Sequence, residues 1–211
     1  MGMAEMLQEG VYGPLNDLQM NLVSRILNNA TTLSHIFSEL LDQSQIESGR
    51  LRLKKEKFSP NAVVESVYSN YLSMALQKGI SLHKEITTRV PQTVVGDQAR
   101  TEQILSNLVV NAIKFTNTGR VNIRIDGQGE TNWVLRVEDT GTGISEEDMQ
   151  TIFEPFRQAD ETTSRRYGGV GLGLSIVLLL VKAMDGTIRV DSKLGQGSMF
   201  TVTLPVLPAQ A

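Results

Sequence analysis

The chain has no cysteine, so disulfides, thiolate nucleophiles and zinc–thiolate centres are all excluded. It has no run approaching the ~18 apolar residues of a membrane span. The N-terminus lacks the basic-then-apolar order of a secretory signal. Basic residues are not in excess either: the net charge of −3 and pI near 5.5 give no electrostatic reason to expect a nucleic-acid partner. These absences predict a soluble chain that itself touches neither nucleic acid nor membrane; the expected location is cytoplasmic, with a membrane anchor in a longer parent left open. What remains is ordinary globular composition, 40% hydrophobic and 20% charged over 211 residues. That length holds one domain with a large core, or a domain plus an appendage.

Glycine and proline are missing between Pro14 and Gly49. Over that stretch Leu15, Leu18, Leu22, Ile26, Leu33, Ile36 and Leu40 recur near a 3.5-residue period, and Met20, Val23, Leu27, Ala30, Phe37 and Leu41 widen the stripe. A helix of roughly 35 residues, near 50 Å long, is too long to lie wholly on a small domain. So wide an apolar band predicts burial in a helical bundle with helices of another chain. His35 sits on this helix with no carboxylate directly after it, and reads as a packed or surface histidine.

From residue 51 onward the pattern is that of an α/β domain. Residues 51–58 alternate as a strand before Ser59-Pro60 opens a helix over 61–78, ended by Gly79. Short strands at 80–86 and 93–95 lead to a helix over 97–116, with Asp97 in the N-cap position. A hairpin over 120–139, a short helix near 145–151, an irregular stretch to about 170, a helix at 172–185 and strands at 187–192 and 198–204 complete the chain. Helices and strands are grouped rather than strictly alternating. The fold class is therefore α+β, with helices layered on one face of a mixed sheet.

The 97–116 helix carries the chemistry. Ile104, Leu105, Leu108, Val109, Ala112 and Ile113 mark its buried face, while Asn107, Asn111 and Lys114 share another. Amide oxygens suit a hydrated divalent cation and an ammonium suits the phosphates it neutralises; standing alone, the same stripe would read as a face turned to water. Three glycine-bearing segments follow. Asp139-Thr140-Gly141-Thr142-Gly143-Ile144 places a carboxylate at a strand end beside closely approaching backbone, a setting for a flat amino-bearing ring such as adenine. The 168–174 segment, which includes Gly169, Val170, Gly171, Leu172 and Gly173, opens the last helix, where backbone N–H groups approach phosphate. It is neither a Walker nor a Rossmann turn. Gly195 to Gly197 reads as a hairpin turn. Between the first two segments, 153–169 is a long loop with Phe153 and Phe156 as aromatic anchors, read as a lid; Arg165 and Arg166 either swing from it onto a terminal phosphate or are simply solvated.

NLVVNAIKFT, DTGTGI, FEPF and GGVGLGL, in this order and spacing, resemble the N, G1, F and G2 boxes of sensor histidine kinases, over about residues 51–205. The stretch at 40–53 also resembles the join between that family's dimerisation helices and its catalytic domain. The resemblance implies a two-layer α/β sandwich of the Bergerat type, three helices on a mixed sheet, preceded by one long helix. Residues 1–49 would hold the second dimerisation helix, matched at 14–49, and 50–211 the ATP-binding domain. It implies ATP and Mg²⁺ as cofactors, a homodimer through the N-terminal helix, and a response-regulator receiver domain as partner. Carried over by position, Asn111 would be the Mg²⁺ ligand with Asn107 assisting, Lys114 would contact phosphate, and Asp139 would take the adenine amino group. Gly141, Gly143 and Ile144 would shape the adenine side. Arg166, Gly169, Val170, Gly171, Leu172 and Gly173 would line the phosphate side.

Two departures from the family stand out. Val170 replaces the usual Ser or Thr, which predicts weaker or altered nucleotide handling. The phosphoacceptor setting of His, acid, basic residue and Thr-Pro is absent; His35 falls on the second helix and His83 in a strand. The expectation is thus the catalytic portion of a histidine kinase, cut from a longer protein or naturally truncated, that phosphorylates a histidine supplied in trans. The alternative is a nucleotide-holding regulatory module without phosphotransfer. Hydrolysis, as in the related chaperones and gyrases, ranks last, because Asn107 stands where those place a glutamate base.

Overall fold

Helix starts and stops follow local chemistry. In the computed structural model, which describes residues 2–129, 131–157 and 171–206 and, within these, all side chains but those of residues 35, 39 and 47, a short helix α1 (Gly2–Gln8) precedes the long helix α2 (Asp17–Glu47). The 31 residues of α2 fall short of the expected 35 because a capping box sets its start. Gln19 N–H donates to Asn16 Oδ1 at 2.9 Å, and Asn16 N–H donates to Gln19 Oε1 at 3.0 Å. Its far end closes at Gly49, whose backbone is left-handed at φ 65°. Leu18, Leu22, Ile26, Leu33 and Phe37 are all exposed along it. The chain divides into two compact units, 1–44 and 45–211.

The second unit is built from β1 (Glu56–Phe58), α3 (Pro60–Lys78), β2 (Ser81–Ile86), β3 (Val94–Gly96), α4 (Gln98–Phe115), β4 (Arg120–Gln128), β5 (Asn132–Asp139), α5 (Glu146–Met149), α6 (Gly173–Ala183), β6 (Thr187–Lys193) and β7 (Gly197–Pro205). Only the last three residues of the alternating 51–58 run form a strand, because β3 offers three residues to pair with. Upstream of that pairing, Lys54 N–H instead donates to the Asp97 carboxylate at 2.9 Å. The same carboxylate accepts from Arg100 N–H at 3.0 Å and so caps α4, as its position predicted.

The main sheet has the order β2-β4-β5-β7-β6, with β2 and β4 parallel and every other pair antiparallel. Register aligns whole rows across it. Ile86, Ile125, Leu135, Val202 and Ile188 form one row; Lys84, Ile123, Val137, Phe200 and Val190 form the next. A third runs Leu82, Val121, Asp139, Ser198 and Ser192. The apolar members pack against Val63, Val64 and Val67 of α3, Ile104, Leu105 and Leu108 of α4, and Ile176, Val177 and Leu180 of α6. Three helices therefore cover one face, while Asn122, Arg124, Glu138 and Thr201 occupy the other. Truncating one fully buried member such as Leu108 to Ala costs about 2–5 kcal/mol.

Candidate nucleotide site

Strand periodicity of two puts Asp139 on the helix-facing side, in line with Trp133, Leu135 and Val137. A carboxylate thus ends an apolar ladder, only 7% exposed. It accepts from Gly141 N–H at 2.8 Å and from the Ser198 backbone N–H. Burial nevertheless pushes its pKa above the ordinary carboxylate value, because desolvation outweighs those two donors.

The following loop is pinned from two sides. Thr142 N–H donates to the Phe115 carbonyl at 3.2 Å, tying the loop to the end of α4. Gly195 N–H donates to the Thr142 carbonyl at 2.7 Å, tying it to the β6–β7 turn. Gly143 needs to be glycine on both counts: its φ is 67°, and a Cβ there would stand 2.1 Å from the Lys193 carbonyl oxygen. A Cβ on Gly141 would meet the Phe115 oxygen at 2.4 Å. Ile144 packs half-buried against the core, and its N–H donates to Ser192 Oγ at 2.9 Å.

On α4 the six apolar residues that the periodicity marked are all buried. Asn107, Asn111 and Lys114 are half-buried on their shared face. Asn107 Nδ2 donates to the Gly173 carbonyl at 3.3 Å, and a Cβ placed on Gly173 would lie 3.9 Å from Asn111 Nδ2. The two asparagines and the start of α6 therefore meet. Burial lowers the pKa of Lys114, whose Nζ lies 5.2 Å from the Phe115 ring centroid. A poorly hydrated ammonium of this kind gains from an arriving anion.

The remaining predicted residues divide. Gly171, at φ 77°, accepts Phe156 N–H at 3.1 Å. Leu172 is 1% exposed within the core, so only its backbone is left to face a ligand. Phe156 departs from its expected role as an anchor: its side chain is 59% exposed and its φ is 63°. Arg165, Arg166, Gly169 and Val170 lie outside the described residues.

Sequence reasoning missed two supports. Lys78 Nζ, at the end of α3, donates to the carbonyls of Ile113 and Lys114 at 2.8 and 2.6 Å, and so staples the end of α4. The β6–β7 turn was expected to be a hairpin and is one, but it also backs the Asp139 loop; no local pattern around Gly195-Gln196-Gly197 signals that contact. A separate cavity of about 210 Å³ lies at the opposite end of the sheet, with Phe58, Trp133, Met184 and Leu204 in its lining, and touches no predicted site residue. Among the described residues no helix is long and apolar enough to cross a membrane.

Comparison with known proteins gives this geometry its context. Residues 96–208 match the family described as histidine kinase-, DNA gyrase B- and HSP90-like ATPase. Sensor histidine kinase RcsC of Escherichia coli is 39% identical over 209 residues, which cover 95% of this chain and 22% of the relative. The chain thus spans about a fifth of the length of the curated relatives it matches. Among solved structures, full-length ShkA in complex with AMPPNP superimposes with a TM-score of 0.82 at 28% identity, covering 100% of this chain and 43% of that one. Acinetobacter baumannii histidine kinase AdeS gives 0.72 at 30% identity, covering 97% and 92%. With more than half its residues matched to the family model and its buried carboxylate, asparagine helix and glycine turns gathered on one side of the sheet, the chain belongs to the histidine kinase-, DNA gyrase B- and HSP90-like ATPase family, in the part of it that is similar to sensor histidine kinases.

Proposed function

We propose that this domain binds Mg·ATP and transfers the γ-phosphoryl group to a histidine on a dimerisation helix that this chain does not contain. The observation that carries the reading is the convergence of Asn107 and Asn111 on the first turn of α6, at the end of the sheet where Asp139 is buried. Asp139 accepts the adenine amino group, and Gly141, Gly143 and Ile144 let the ring lie close to backbone. Lys114 holds phosphate. Gly169, Val170, Gly171, Leu172 and Gly173 are assigned to the phosphate side, and Arg166 to the terminal phosphate.

The residues present fit a magnesium ion. Asn107 spends its amide nitrogen on Gly173, which leaves its oxygen as the end available to a cation. Asn111 is the direct ligand in this reading. Among the described residues no three His, Cys, Asp or Glu cluster as a cage, which accords with an ion that takes most of its ligands from phosphate and water. Such an ion neutralises the triphosphate when bound. The chain's own residues then fix the nucleotide's orientation, so that an incoming imidazole nitrogen lies in line with the bond between the γ-phosphorus and the β–γ bridging oxygen. A P–N bond forms as that P–O bond breaks and ADP leaves.

Further parts of the proposal are a homodimer through α2, onward transfer to a response-regulator receiver domain, and a cytoplasmic location for this portion of the protein. The exposed apolar side chains of α2 support the first.

Calorimetric titration with a non-hydrolysable ATP analogue, with and without Mg²⁺, tests the site. Saturable binding that disappears in Asp139→Ala is the expected outcome, and absence of binding by the unmutated chain would refute it. Radiolabelled ATP supplied with a separate helix bearing an acceptor histidine then tests transfer. Label is expected on that helix and not on His35 or His83.

A further inference from the structure

The carboxylate of Asp139 has a neighbour whose orientation is set from elsewhere. Ser198 is its register partner on β7, 8% exposed and on the same helix-facing row. Ser192 of β6 is in turn the register partner of Ser198, and their hydroxyl oxygens lie 2.9 Å apart. Three contacts converge on Ser192 Oγ: Ile144 N–H at 2.9 Å, the Gly197 carbonyl at 3.0 Å, and Ser198 Oγ.

Counting protons gives the one arrangement that satisfies all three. An amide N–H only donates, so Ser192 Oγ accepts from Ile144. A carbonyl only accepts, so the single hydroxyl proton of Ser192 goes to Gly197. With that proton on Gly197, the contact between the serines is made by Ser198 donating to Ser192, the direction that satisfies all three contacts. With its proton committed, Ser198 Oγ offers only lone pairs beside an acceptor-only carboxylate.

The backbone around the pair allows little rearrangement. A Cβ on Gly197 would come 2.0 Å from the Asp139 carbonyl oxygen, so the start of β7 lies directly against the end of β5. The Gly195 to Thr142 and Ile144 to Ser192 bonds fasten the loop on its other side.

We infer that Ser192 is a positioning residue for base selection: by orienting the Ser198 hydroxyl and the backbone at Ile144, it makes the pocket present only hydrogen-bond acceptors to the 6-position of a purine. An amino group at that position donates to them. A carbonyl there would face lone pairs, which is costly where water is excluded. Ser192 touches no ligand itself and acts through Ser198 and Ile144. The inference rests on the proposed adenine role of Asp139.

The experiment compares binding of ATP and inosine triphosphate, which differ at the 6-position, by the unmutated chain and by Ser192→Ala, Ser192→Thr, Ser198→Ala and the Ser192→Ala/Ser198→Ala pair. The unmutated chain is expected to prefer ATP by roughly tenfold or more. Ser192→Ala is expected to reduce that preference severalfold, Ser192→Thr to retain it, and the double variant to match Ser198→Ala alone, because coupled residues are not additive. Equal weakening of both nucleotides, or a lower melting temperature with an unchanged ratio, would show a merely structural role and overturn the inference. Should Ser192→Ala fail to fold, Ser192→Cys, which keeps the side-chain connectivity with a somewhat larger, poorly hydrogen-bonding atom, carries the same comparison. Loss of ATP binding in Asp139→Ala, together with a ratio insensitive to Ser192, would remove this inference alone. Retention of ATP binding in Asp139→Ala would remove the adenine assignment beneath it as well.

Discussion

At the scale of single residues, Asp139 trades stability for binding. Its pKa is raised in the folded chain, so its protonated form is the one that folding favours. The corresponding stability is fully present below the unfolded carboxylate pKa and is lost as pH rises through the higher folded value. At neutral pH the ionised group is a net burden on the fold. Asp139→Asn is therefore expected to abolish measurable nucleotide binding while leaving the melting temperature equal or higher near pH 7. The melting difference should vanish at acid pH, and melts across a pH series beside calorimetric titration check both halves. Asn111→Ala makes a different statement. Removal of the proposed metal-facing amide should erase the gain in affinity that Mg²⁺ confers, by about tenfold, and leave metal-free binding nearly intact. Equal losses with and without Mg²⁺ would assign Asn111 to the nucleotide instead.

At the scale of elements, α4 is held at both ends by side chains, one adjacent in sequence and one distant. Asp97 caps its start and Lys78 of α3 closes its end. An ammonium on terminal carbonyls stabilises a helix by about 1 kcal/mol where it is partly exposed. Lys78→Met should thus lower the melting temperature by about 2–4 °C in a chain of this size. It should also loosen Lys114, whose carbonyl it holds, so phosphate-dependent affinity is expected to fall along with stability. The long helix α2 poses a different problem, because Leu22, Ile26 and Phe37 face solvent. Leu22→Glu with Ile26→Glu is expected to give a monomer under conditions where the parent chain sediments as a dimer. An unchanged sedimentation coefficient would place the association surface elsewhere.

At the scale of the whole molecule, the buried apolar cluster lies within residues 58–204, inside the second unit. Residues 45–211 alone are therefore expected to fold and to bind the ATP analogue within about twofold of the full chain, a difference of under 0.5 kcal/mol. Thermal melts and calorimetry on that piece check this. On the proposed reading the acceptor histidine is supplied in trans, so the same piece mixed with ATP alone should form no phosphohistidine.

Much of this was legible in the sequence for identifiable reasons. The 3.6-residue period of Ile104 to Ile113 marked the buried face of α4, and by subtraction the face of Asn107, Asn111 and Lys114. Strand alternation, glycine stops and the Asp97 cap located the sheet and its helices, because each rests on contacts within a few residues. The exact reach of β1 depended on its three-residue partner, so alternation over 51–58 overstated it. The capping box of Asn16 and Gln19, three residues apart, is itself a local signal. The tertiary structure alone decided the rest. That Lys78 would close α4 follows from the packing of α3 on α4; that Asp139 would end the apolar ladder of β5 at 7% exposure and that the β6–β7 turn would back its loop follow from strand order and register. Ser192 and Asp139 are separated by more than fifty residues, and only the pairing of β5, β7 and β6 sets them in one row. Periodicity reports which face a residue takes on its own element; which elements then lie side by side is settled by packing.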